Sequence, residues 1–99
     1  MSRQITKDTV SNFVKRNPFK KANSEVSVNG TTILLKLHGN VIAQIDELGM
    51  LSITNAGWHS NTTKERLNGL PSVRISQRNF QWYLNGEAWN GKWKQITQL

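Results

Sequence analysis

The sequence predicts an α+β fold: an antiparallel sheet or meander of about five to seven strands, an N-terminal helix and one short helix near residues 62–69. Three observations predict it. Apolar residues near the N-terminus recur at helical spacing. From Glu25 onward the apolar period changes to two. Asn-Gly and Gly-Asn pairs then interrupt the period-two stretches at short intervals, which is the pattern of tight hairpins. The 99 residues read as a single domain, with a basic helix and arm over 1–24 and a β-rich body over 25–99.

The first helix covers residues 5–16 in this reading. Thr6 caps it, Val10, Phe13 and Val14 share one face, and Ile5 and Val10 form a hydrophobic staple. It stops before Asn17-Pro18, because a residue preceding proline disfavours helical backbone. Lys15, Arg16, Lys20 and Lys21 cluster around Pro18-Phe19, either complementing the negative helix end or forming an anion-binding arm. Val26 and Val28 alternate up to Asn29-Gly30, the strongest hairpin signal in the chain. Ile33, Leu35 and Leu37 alternate on the return, with Leu34 on the opposite face, so this strand reads as central and covered on both sides. Gly39-Asn40 turns into a strand with Val41, Ala43 and Ile45 inward. Residues 46–49 turn again, and the strand 50–54 carries Leu51 and Ile53 inward. After a loop, Thr62 and Glu65 match a capping box, and a helix over about 63–68 ends at Gly69 and Pro71 with Leu67 and Leu70 as apolar anchors. Val73 and Ile75 restart the strand pattern. A turn at Arg78-Asn79 leads to Phe80, Trp82 and Leu84, which alternate inward. Asn85-Gly86 and Asn90-Gly91 precede a last strand over 92–96.

Composition excludes several function classes. An apolar content of 36% and a mean hydropathy of −0.54 describe a soluble chain that can bury a core with little spare stability. Zero cysteines exclude disulfides, thiolate catalysis and Cys-based zinc sites, and fit a reducing compartment. No apolar run approaches the roughly 20 residues that span a bilayer, and residues 1–8 show no signal-peptide core, so no membrane partner is expected. Two Asn-x-Thr triplets, at Asn29 and Asn61, read as chance matches. His38 and His59 have no second ligand at metal spacing, and the adjacent Asp46 and Glu47 belong to a turn. No nucleophile elbow, phosphate loop or dinucleotide fingerprint occurs. The expectation is therefore a non-enzymatic protein with no catalytic residues, no metal and no cofactor.

Charge carries the functional signal. The net charge is +7. There are six basic and one acidic side chains over 1–24, one and three over 25–60, and six and two over 61–99. Basic ends point to an anionic partner, either nucleic acid or an acidic protein face. Aromatics interleave with these cations near the C-terminus. If Val73 and Ile75 point inward, Arg74, Ser76 and Arg78 share the outer face, with Tyr83 within their reach. Trp89, Lys92, Trp93 and Lys94 extend that surface. Flat rings stack on bases and cations pair with phosphates. Trp82 is assigned to the core by its alternation, whereas Trp89 and Trp93 read equally as core or surface. A second constellation surrounds the short helix. Its N-terminus, its threonines, Lys64 and Arg66 can receive a phosphate, although capping alone also accounts for the spacing. With the N-terminal Lys20 and Lys21, the candidate nucleic-acid-binding set is Lys20, Lys21, Lys64, Arg66, Arg74, Arg78, Tyr83, Trp89, Lys92, Trp93 and Lys94.

Ala56-Gly57-Trp58, then Thr62-Thr63-Lys64-Glu65-Arg66-Leu67-Asn68, then Trp82-Tyr83 resemble a group of small proteins encoded by tailed bacteriophages. In that group an A-G-W … T-T-K-x-R-L-N block precedes a W-Y strand. The resemblance covers residues 31–93, most clearly 50–84, and leaves out the basic N-terminal segment. It implies a setting, the cytoplasm of an infected bacterial host, and transfers no functional residue. Three functions are compatible with these readings. The leading one is binding of DNA or RNA through the basic, aromatic surface. The second is an accessory protein that binds and modulates an acidic host protein, and the third is a virion or assembly component. An unpaired edge strand would also permit a homodimer.

Overall fold

The computed structural model describes residues 3–99, so Met1 and Ser2, the start of the predicted arm, lie outside it. In chain order the elements are α1 (Gln4–Val14), β1 (Phe19–Lys21), β2 (Ser24–Asn29), β3 (Thr32–Leu37), β4 (Asn40–Ile45), β5 (Met50–Ile53), α2 (Asn61–Asn68), β6 (Ile75–Arg78), β7 (Gln81–Leu84), β8 (Glu87–Ala88) and β9 (Lys94–Gln98). All strand pairings are antiparallel, as the tight turns predict. The α+β class holds, but the strands divide into two sheets. One has six strands in the order β1-β2-β3-β4-β5-β9, the other three in the order β6-β7-β8. The division follows from residues 54–74, which lead the chain away from β5 through α2. The chain returns where the Gly91 carbonyl accepts from the Asn55 amide at 2.9 Å and from the Thr54 hydroxyl at 2.6 Å, and β9 then fills the place beside β5.

One buried face runs across the large sheet. Val26, Leu35, Ala43 and Ile53 are successive register partners on β2 to β5, and all are buried. Phe13 of α1, Leu67 of α2, and Ile75, Trp82 and Leu84 of the small sheet join the same core. Leu34, on the opposite face, is half-buried. In β4 the simple alternation fails. The register slips between Leu35 and Lys36, leaving Ile42 as the extra residue of a β-bulge, buried next to Ala43.

Several local expectations are corrected. Arg3, not Thr6, is the N-cap residue of α1, and no side chain caps it. Thr6 is fully buried one turn in, and the Ile5–Val10 staple loses its register. Ser60, not Thr62, caps α2, its hydroxyl accepting from the Thr63 amide at 3.1 Å, and Glu65 faces α1 instead of completing a capping box. The β3–β4 turn is His38-Gly39, one residue earlier than read, with both residues at positive φ. Phe80 is not in the core. It forms the β6–β7 turn with Asn79 and is 95% exposed. β1 and β8 escape sequence reading because they are three and two residues long and carry almost no buried apolar side chain.

Candidate nucleic-acid interface

Register determines which side chains meet on the small sheet. Ser76 pairs with Tyr83, Tyr83 with Ala88, and Arg78 with Gln81. Residues paired across antiparallel strands share a face, and so do residues two apart along a strand. Ser76, Arg78, Gln81, Tyr83 and Ala88 therefore form one face, while Ile75, Trp82 and Leu84 form the other, buried one.

The outer face leads into an open depression lined by Gln81, Ala88, Trp89, Asn90, Lys92, Trp93 and Lys94. Trp89 is its floor. It is 7% exposed, its indole N–H donates to the Lys92 carbonyl at 2.9 Å, and its ring tilts against Trp82 at 6.2 Å. The Gln81 amide nitrogen donates to the carbonyls of Trp82 and Trp89, which fixes the near wall. Trp93 is the exposed ring, at 51%. It also borders a second depression with Gln44, Ser52, Lys94 and Gln95, so its indole forms a ridge between the two. Ser52, Gln44 and Gln95 are register partners on β5, β4 and β9, which places the second depression on the outward face of the large sheet.

Among the described residues the only ion pair is Arg66 with Glu65. Arg74, Arg78, Lys92 and Lys94 are exposed and have no carboxylate partner. Their charge is available to an anion.

The predicted site residues separate into those the fold gathers and those it does not. Arg78, Tyr83, Lys92, Trp93 and Lys94 lie on or beside the depression, with Trp89 beneath. Arg74 is exposed just ahead of β6, where its backbone amide donates to the Asn85 side chain at 2.9 Å. Lys20 and Lys21 lie on β1, the opposite edge of the six-stranded sheet. Five strand spacings, about 24 Å, separate that edge from β9. Lys64 donates to the Gln77 side chain at 3.0 Å.

Arg66 is a correction. It is 1% exposed, so its guanidinium cannot meet a phosphate. Its nitrogens donate to the Ser24 hydroxyl at 2.9 Å, the Thr6 hydroxyl at 2.8 Å and the Asn23 side-chain Oδ1 at 3.3 Å, and it is paired with Glu65. The Thr6 hydroxyl also donates to Glu65, and the Arg3 amide does so at 3.2 Å. Burial works to raise the pKa of the Glu65 carboxyl. The Thr6 hydrogen bond, the Arg3 amide and the Arg66 charge outweigh that and hold it below the ordinary carboxylate value. The cluster thus clasps α1, the start of β2 and α2 together. With Arg66 withdrawn, the α2 N-terminus lacks the second cation of the predicted phosphate site. Trp58 nearby does not pack tightly on the sheet. It is 58% exposed over a small, mainly apolar cavity shared with Leu37 and Ile42.

Sequence reading missed Phe80 and Gln81 as neighbours of the site. The sequence carries no clear signal for this tip, since Asn79-Phe80 lacks the glycine of a two-residue hairpin turn and only the Arg78–Gln81 register reveals it. Among the described residues no three His, Asp or Glu side chains gather to hold a metal, and no helix is long and apolar enough to cross a membrane.

A family model described as Kyanoviridae Gp96 protein matches residues 2–97. That span takes in the basic N-terminal segment, which the resemblance seen in the sequence leaves out. Comparison with curated proteins and with solved structures finds no match.

Proposed function

We propose that this chain, which belongs to the Kyanoviridae Gp96 family and so is a bacteriophage protein, is a non-enzymatic protein that binds nucleic acid in the infected cell. One observation carries the reading: the exposed Trp93 indole lines one depression with Lys92 and Lys94, its Gln81 wall pairs with Arg78, and no carboxylate pairs any of the three cations among the described residues. Such a surface offers a π-face for a base and point charges for the flanking phosphates. Binding of this kind is strongest at low salt and weakens steeply as salt rises.

An electrophoretic shift series with single- and double-stranded DNA and RNA tests it. Binding at about 50 mM salt that fades by about 200 mM supports the reading, and no shift at about 50 mM ends it. Capture of an acidic host protein from nuclease-treated lysate, with no shift of any nucleic acid, would favour the modulator reading instead.

A further inference from the structure

We propose that the Asn79-Phe80 hairpin tip is a base-stacking element, and that this surface therefore takes unpaired, single-stranded nucleic acid rather than duplex. The inference rests on the nucleic-acid reading above and names its substrate class.

The first observation is backbone strain. Three two-residue hairpin turns hold both central residues at positive φ: His38-Gly39, Asn79-Phe80 and Asn85-Gly86. Two place glycine second, where it adopts this geometry without penalty. The third places a phenylalanine there, at φ +67. A bulky side chain in the left-handed region is an outlier, and such outliers cluster at functional positions. The second observation is exposure. Phe80 is 95% exposed, so core packing does not repay its strain. A single exposed apolar residue is ordinary; one held in a costly conformation at a loop tip is not.

The third observation is place. The turn closes on the Arg78–Gln81 pair. Gln81 is part of the wall of the Trp93 depression and is tied by its amide to the Trp82 and Trp89 carbonyls. Phe80 is thus held in the chain between the exposed cation Arg78 and Gln81, a wall residue of the depression that the exposed Trp93 ring borders. Duplex nucleic acid offers phosphates to Arg78, Lys92 and Lys94, but its bases are already stacked on one another. Two protruding rings stack directly on bases that are unpaired, whereas a duplex must first be unstacked to receive them.

The experiment compares the wild-type protein with Phe80→Gly and Phe80→Tyr by fluorescence anisotropy. The probes are an oligothymidylate of about 12 nucleotides, a length within the range of such sites, and the same strand annealed to oligodeoxyadenylate, both at about 50 mM salt. The expected result is that wild type prefers the single strand. Phe80→Gly should lose about tenfold in single-strand affinity, duplex binding should stay as it was, and Phe80→Tyr should retain binding. The melting temperature of Phe80→Gly should be equal to or above that of wild type, which separates lost stacking from lost folding. If Phe80→Gly binds the single strand as tightly as wild type, or if both probes weaken equally, the single-strand assignment is overturned while nucleic-acid binding stands. If wild type binds neither probe nor the oligouridylate counterparts of the two, the parent reading falls together with this one, and the tip is left as a contact for a protein partner.

Discussion

Arg66 shows how far one residue's sequence context can mislead. In Thr63-Lys64-Glu65-Arg66 it looks like any cation on a short polar helix, and its partners Thr6 and Ser24 are 60 and 42 positions away. No local period encodes such a contact. Its burial makes it structural, and removing one member of a buried, hydrogen-bonded charge pair strands the rest. Arg66→Ala should destabilise the fold by about 3–5 kcal/mol in urea unfolding. Arg66→Lys should recover only part of that, since an ammonium cannot span the same fork of acceptors. A variant with unchanged midpoint would show that the clasp contributes nothing. Glu65 gives the same clasp a pH signature. Its pKa is lower folded than unfolded, so its stabilisation is complete above the ordinary carboxylate range and disappears as pH falls through the lowered value. The melting temperature should drop on acidification below about pH 4.5, and Glu65→Gln should flatten that drop while lowering stability at neutral pH. Equal slopes for the two proteins would remove Glu65 from the account.

At the level of elements, the strong alternating stretches were legible and their ends were not. Val26, Leu35, Leu51 and Ile53 lie where a period of two places them. The alternation of Trp82 and Leu84 points Phe80 inward, but the Arg78–Gln81 pairing commits that residue to a turn. Ile42 was missed because a bulge adds a residue without marking the sequence. The crossing of α1 and α2 was equally invisible, since it depends on a glycine that no turn requires. A Cβ at Gly69 would lie 2.6 Å from the Thr6 methyl and 3.1 Å from a Val10 methyl. Thr6 is fixed by Arg66 and Glu65 and cannot move aside cheaply. Gly69→Ala should therefore cost about 1–3 kcal/mol, as overpacking does, although alanine is the better helix former. Thermal melts decide this, and a more stable Gly69→Ala protein would mean that the helices can separate freely.

For the whole molecule, the distribution of cations matters more than their total. Lys92 and Lys94 lie at the β9 edge of the large sheet, and Lys20 and Lys21 at the β1 edge. A ligand held at the Trp93 ridge meets the first pair. Lys92→Gln with Lys94→Gln should lower the slope of log affinity against log salt for a single strand by about 1.4, the value for two phosphate contacts. Lys20→Gln with Lys21→Gln changes the net charge equally and should leave the slope close to wild type. Identical slopes for the two double variants would mean that binding reads total charge and not this surface. The β1 lysines have a separate use, since charge on an edge strand discourages pairing with a second chain. The basic, aromatic C-terminal surface was legible in composition. Its real extent was not, because the split into two sheets brings Gln81 and Trp93 to one depression while carrying Lys20 and Lys21 to the far side.

The pairing of β9 with β5 also bears on how the chain comes to be folded. Residues 94–98 complete a sheet whose neighbouring strand ended about 40 residues earlier, so on the ribosome β5 emerges with one flank bare. Until residues 94–98 are free to pair, Leu51 and Ile53 border an incomplete layer, and the bare edge of β5 can pair with another chain.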